Sequence, residues 1–142
     1  MEGNKKIFAD SNYFIALFNA HDALHERAKK ITREMEQIVF YISNFIFLET
    51  VTVLSQKCGR KTSREVGEHL LKNPLIKIVH FDEILQKETW RIFQEEPSKN
   101  ISFADCSTVA VMDTEGISEL LTFDTTDFKK LAKKHHFKLY GG

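Results

Sequence analysis

Short runs of β-forming residues alternate with longer helix-patterned segments along the chain, and this alternation limits the fold more than any other feature. Ile7-Phe8-Ala9 is the first such run; the others are Val39 to Ile42, Ile76 to Val79, Glu119 to Phe123 and Phe137 to Leu139. Ser11 and Asn12 open an apolar-rich helix from Tyr13 to Phe18. Between Ala23 and Gln37, Leu24, Ala28, Ile31 and Met35 recur three or four residues apart, the period of one helix face. Ser43 is a candidate N-cap for a helix reaching about Gln56, which Cys58-Gly59-Arg60 breaks. Thr62 to Leu71, Phe81 to Phe93 and Thr125 to Lys134 read as further helices. Another helix, capped by Ser102, runs to about Thr114 after the loop Pro97 to Asn100. Strands alternating with helices predict an α/β architecture: a central parallel sheet of four to five strands, flanked by helices on both faces. At 142 residues, with 42% hydrophobic and 28% charged, the chain is expected to be one ordered domain over 1–142.

Twenty Lys and Arg offset twenty Asp and Glu, so the net charge is +0. That argues against a nucleic-acid binder driven by a basic tail, and leaves room for local basic patches. Cys58 and Cys106 form no CxxC motif and no disulfide framework. Met1 to Lys6 leads into no signal-peptide-like apolar region. The most apolar span, Ile38 to Leu54, is interrupted by Ser43, Asn44 and Glu49 and is shorter than the ~20 apolar residues of a membrane helix. A soluble cytoplasmic protein without membrane contact is expected.

Parallel sheets place ligands at the carboxyl ends of their strands, near the point where the strand order reverses. Asp10 follows the first strand, and Asp124 follows Leu121-Thr122-Phe123. Asp105 lies in the first turn of its helix, and Ser102-x-x-Asp105 also reads as a capping box. Asp10 and Asp124 could likewise be N-caps, Asp124 with Asp127 as its third-position partner. Glu49 is harder to place, because Phe45, Ile46, Thr52 and Val53 occupy its i±3 and i±4 positions and none is basic. A buried unpaired carboxylate there would cost several kcal/mol, so Glu49 needs a cleft or a cation. One hard cation shared by these acids accounts for all four, since carboxylates without His or Cys suit Mg²⁺ or Mn²⁺.

Taken in order, Ala9-Asp10-Ser11-Asn12, Glu49 within an apolar helix, Ser102-Phe103-Ala104-Asp105-Cys106 and Thr122 to Phe128 resemble the PIN domain, the nuclease fold of VapC-type toxins. The resemblance covers nearly the whole chain. It implies a Rossmann-like sheet and an Mg²⁺- or Mn²⁺-dependent endoribonuclease that hydrolyses RNA phosphodiester bonds and leaves a 5′-phosphate. By the same resemblance, Asp10, Glu49, Asp105 and Asp124 form the acidic pocket. Asp10 is the central metal ligand with Asp105 beside it, and Glu49 and Asp124 hold metal-bound waters or a second ion. Ser11 orients Asp10 or a water, and Asp127 is a supporting acid; no role is assigned to Asn12. A cognate antitoxin whose segment enters the cleft and a homodimer are also implied.

An RNase without net charge must gather cations locally to hold a backbone. The candidate patches are Arg27, Lys29 and Lys30; Lys57, Arg60, Lys61 and Arg64; and Lys129, Lys130, Lys133 and Lys134. The second set is favoured because it follows the Glu49 helix. His21 and His25 have i, i+4 spacing, but no third zinc ligand accompanies them. Phe40, Phe45, Phe47 and Phe81 are expected to fill the core. A haloacid-dehalogenase-type phosphatase would need Asp-x-Asp after the first strand, where Asn12 stands. A phospho-receiver domain would need a Lys directly after a late strand. The remaining alternatives are a PIN nuclease of RNA processing and a non-catalytic PIN-like module that binds RNA or protein.

Overall fold

The computed structural model describes residues 4–140. Of the N-terminal stretch considered above, Met1 to Gly3 lie outside the described residues. The chain runs β1 (Lys5–Ala9), α1 (Ser11–Phe18), α2 (His25–Glu34), β2 (Ile38–Ser43), α3 (Asn44–Cys58), α4 (Arg60–Lys72) and β3 (Ile76–Val79). It continues through α5 (Glu83–Glu95), α6 (Phe103–Glu115), β4 (Glu119–Leu121), α7 (Thr125–His135) and β5 (Lys138–Leu139). The sheet has five strands in the order β3-β2-β1-β4-β5, every pairing parallel. This is the expected α/β architecture.

β1 is the central strand, and its last three residues, Ile7, Phe8 and Ala9, are each 0% exposed. A strand buried on both faces reads as an unbroken apolar run, as this one does. From β1 the chain builds outward through β2 to β3, then returns to the other side of β1 to add β4 and β5. A right-handed crossover puts the helices of these two halves on opposite faces. Accordingly α1 packs on α2 and α3, and α3 on α4; in the other half α6 packs between α5 and α7. The reversal point lies at the carboxyl end of β1, where Asp10 begins.

Local signals account for several boundaries. The Ser43 hydroxyl accepts a hydrogen bond from the Ile46 N–H, so Ser43 caps α3 as its sequence position predicts. Asp82 caps α5 by accepting from the Leu85 N–H, which starts that helix two residues later than the apolar pattern indicates. β4 stops at Leu121 rather than Phe123, because Thr122 leaves the ladder to engage side chains of the first βα turn. Phe45 corrects the core expectation. It is 39% exposed, with its ring centroid 4.5 Å from that of Phe81. No helix among the described residues is long and apolar enough to cross a membrane.

A single residue, Gly59, separates α3 from α4 and has φ 93° and ψ 170°. That conformation is essentially restricted to glycine. A Cβ at this position would meet nothing within 4 Å, so a substitution there tests backbone strain without steric overlap. Gly59→Ala is expected to destabilise the protein by about 1–3 kcal/mol. Gly116 has the milder left-handed φ 67° and ψ 36°, and Gly116→Asn should cost less. Urea unfolding of both variants checks the order, and a Gly59→Ala variant as stable as the parent would count against the strain.

Candidate active site

Asp10 stands at the end of a strand whose neighbours exclude water, so its carboxylate must be solvated by the protein. The Ser11 N–H donates to Oδ1 at 2.8 Å, and the Thr122 hydroxyl donates to Oδ2 at 2.8 Å. The Thr122 oxygen also accepts from the Asn12 side-chain amide at 3.0 Å and from the Asp124 N–H at 3.1 Å. Asn12 completes the connection by accepting from the Phe123 N–H through Oδ1, at 3.0 Å. Two residues of α1's first turn are thereby joined to the loop that follows β4. Thr122 opens the Thr122 to Phe128 motif but received no role from the sequence, since the side chains it bonds, Asp10 and Asn12, lie more than a hundred residues away. Its one sequence signal is a hydroxyl two residues before Asp124.

Asp10, Ser11, Glu49, Asp105 and Asp124 line one cavity of about 280 Å³. Four of the five bring carboxylates, and among the described residues no Lys or Arg lines the cavity. Glu49 is exposed at the cavity and has neither hydrogen bond nor ion pair among the described residues, so the cleft solves its burial problem. Asp105 makes the capping box: its N–H donates to the Ser102 hydroxyl, and its Oδ2 accepts from the Ser102 N–H, both at 3.0 Å. That bond orients the carboxylate and leaves Oδ1 unpartnered. Asp124 occupies the N-cap position of α7 but makes no side-chain cap bond, so the capping role weighed for it is not taken up. Asp127 does not line the cavity; its charge acts on Asp124.

Burial pushes the Asp10 carboxyl up to about 6, against the pull of its bonds to Thr122 and Ser11; the charges of Glu49 and Asp105 add to the rise. Asp124 is also raised, first by burial and then by Asp105 and Asp127. Among the described residues, no group of three or more His, Cys, Asp or Glu side chains is close enough together to hold a metal ion. An all-oxygen donor set around a cavity of this size instead fits a hydrated hard cation held directly by one or two carboxylates.

The basic residues divide differently from the sequence expectation. Lys57, Arg60, Lys61 and Arg64 are exposed around the α3–α4 junction and have no carboxylate partner among the described residues. Lys57 lies eight residues along α3 from Glu49, about 12 Å at helical rise. Lys134 is not a free cation: it pairs at 2.9 Å with Glu96, whose side chain is 4% exposed. Lys29 pairs with Glu26. His25 Nδ1 donates to the Ala16 carbonyl at 2.8 Å, which is a structural role.

The family model described as PIN domain matches residues 7–134. The 23S rRNA-specific endonuclease VapC20 of Mycobacterium tuberculosis is 30% identical over 118 residues, covering 83% of this chain and 88% of that protein. The crystal structure of Mycobacterium tuberculosis VapC20, described as a Sarcin-Ricin loop cleaving toxin, matches with a TM-score of 0.79 at 29% identity. It covers 88% of this chain and 94% of that one. FitAcB from Neisseria gonorrhoeae shares the fold, with a TM-score of 0.70 at 18% identity over 95% of this chain and 96% of that one.

Asp10 binds its proton more tightly folded than unfolded. Stability from that proton is therefore full below about pH 4 and lost as pH rises through about 6. Asp10→Asn cannot ionise, so it should stabilise the metal-free protein at pH 7.5 by on the order of 1–3 kcal/mol, and by much less at pH 4. Urea unfolding in EDTA at both pH values measures the difference. An equal effect at the two would show that ionisation of Asp10 is not the cause.

Proposed function

The chain belongs to the PIN domain family, and on that premise we propose that it is an endoribonuclease hydrolysing RNA phosphodiester bonds, the toxin of a toxin–antitoxin pair. The observation that carries this reading is the set of four carboxylates around one cavity at the reversal point of the sheet, with Asp10 oriented by Thr122 and Ser11. The similarity to a 23S rRNA-specific endonuclease makes 23S rRNA the first substrate to test.

Asp10 and Asp105 are the residues to hold an Mg²⁺ or Mn²⁺ ion directly, with Glu49 and Asp124 acting through water. When bound, such an ion neutralises charge on the phosphate and eases deprotonation of the attacking water. Thr122 and Ser11 hold both Asp10 oxygens, so that carboxylate is aimed before any ligand arrives and little reorganisation is left for the reaction. The Ser102 cap does the same for Asp105. Glu49, exposed and without a partner among the described residues, would take a proton from water or hold a water in line with the scissile bond. Lys57, Arg60, Lys61 and Arg64 form a ridge for the RNA backbone beyond α3.

The partners follow from the same reading. A cognate antitoxin would place a segment in the acidic cavity, and a cationic group on it would meet the four carboxylates. A homodimer belongs to the same family reading, and Leu48, Ile84 and Trp90, at 66%, 75% and 53% exposed, are large apolar side chains that an interface would cover. Sedimentation of the purified protein should give the mass of a dimer, and a monomer at micromolar concentration would overturn that part.

The activity test is incubation with ribosomal RNA in Mg²⁺ or Mn²⁺. Discrete fragments bearing 5′-phosphates are expected, and EDTA should abolish them. Asp10→Asn should leave no detectable cleavage in a folded protein. Thr122→Val, which keeps shape and removes the hydroxyl, should lose about 10–100-fold, as for other groups that orient a metal ligand. RNA binding without metal-dependent cleavage would instead establish a binding module.

A further inference from the structure

A phosphodiester approaching four carboxylates needs a cation close by, yet among the described residues no Lys or Arg lines the cavity. The structure brings one to the residue that precedes Asp124 in the chain. The Arg27 guanidinium lies 5.3 Å from the ring centroid of Phe123, the residue next to Asp124. Phe123 is itself held, because its N–H donates to the side chain of Asn12, which lines the cavity. The other side of the pair is equally fixed. α2 is anchored to α1 through His25 and the Ala16 carbonyl, and through Tyr13 and the Thr32 hydroxyl at 2.6 Å; Ala28 beside Arg27 is 0% exposed. Arg27 is exposed and has no carboxylate partner among the described residues, unlike Lys29 on the same helix.

We infer that Arg27, stacked on Phe123, binds a phosphate of the RNA backbone next to the scissile one and so positions the substrate over the carboxylates. This rests on the ribonuclease reading and deepens it. A guanidinium lying against an aromatic face keeps its in-plane N–H groups free, and those form the two-pronged donor that phosphate oxygens accept. Stacking also restrains a long side chain before the ligand arrives, which lowers the ordering cost of binding. Lys would keep the charge and lose the fork and the stack. Arg27 thus differs from the Lys57–Arg64 ridge, which is charged but has no partner that aims it and begins about 12 Å along α3 from Glu49.

The test is binding of a fluorescein-labelled RNA hairpin carrying the cleaved sequence, in EDTA so that no cutting occurs, over a series of salt concentrations. Arg27→Ala should weaken binding about tenfold at low salt. It should also flatten the plot of log affinity against log salt by about 0.7–1, the loss of one phosphate contact. Arg27→Lys should keep the slope and regain part of the affinity. Phe123→Leu should weaken binding with the slope intact, because the charge remains but is no longer aimed. A purely structural Arg27 would lower the melting temperature and leave the slope unchanged, and that result overturns the inference. If the parent cuts RNA while Arg27→Ala has the parent's slope, this inference falls alone. If the parent neither cuts nor binds RNA, the ribonuclease reading falls and takes this one with it.

Discussion

The hydrogen bond from the Thr122 hydroxyl to Asp10 governs the functional end of this molecule. Asp10 has to leave a strand buried on both faces, at the point where the chain reverses its direction of building the sheet. A carboxylate there loses much of its hydration, which is why its proton is held up to about pH 6. The Thr122 oxygen gives its only proton to Asp10 and accepts from Asn12 and from the Asp124 N–H. One atom therefore aims the first acid, anchors the backbone of the last, and ends β4 two residues before its apolar pattern does.

The charge distribution follows from the same place. The neutral total conceals a cavity lined by four carboxylates and, among the described residues, by no Lys or Arg. Repulsion among these groups, added to desolvation, works against the metal-free state, and binding of positive charge relieves both. Many remaining cations are committed elsewhere: Lys5 to Glu119, Lys72 to Glu68, Arg91 to Glu88 and Glu95, Lys134 to Glu96. Glu96 is nearly buried, so its pair with Lys134 ties the loop before α6 to α7, the helices that follow Ser102 and Asp124. Arg27 and the Lys57–Arg64 set are among the cations with no carboxylate partner in the described residues, as are Lys30, Arg33, Lys129 and Lys130, and these are available to a polyanion.

Most elements were legible because their signals are local. Ser43 and Ser102 cap helices through bonds three residues long, and Gly59 marks a break that its own backbone angles require. That these four acids line one cavity was expected for a related reason: strand ends and helix starts locate Asp10, Asp124 and Asp105, and the apolar surroundings of Glu49 demanded a cleft. What stayed hidden depends on pairs far apart in the chain. Phe123 continues an apolar run, so it reads as strand, yet Asn12 holds its amide and Arg27 covers its ring. Lys134 reads as one of four surface lysines until Glu96 is found beside it. Phe45 reads as core until α3 turns it to the cavity wall against Phe81.

By itself the sequence determined the α/β alternation, the short apolar first strand ending at Asp10, and which acids have a chemical reason to meet. Those follow from spacing and residue type, which act within a few residues. Only the tertiary structure decided that β1 stands between β2 and β4, that Thr122 and Asn12 hold the acid in place, and which cation lies over the Phe123 ring. Strand order and side-chain networks are set by packing between segments up to 112 residues apart, as Thr122 and Asp10 are, and no local pattern records that.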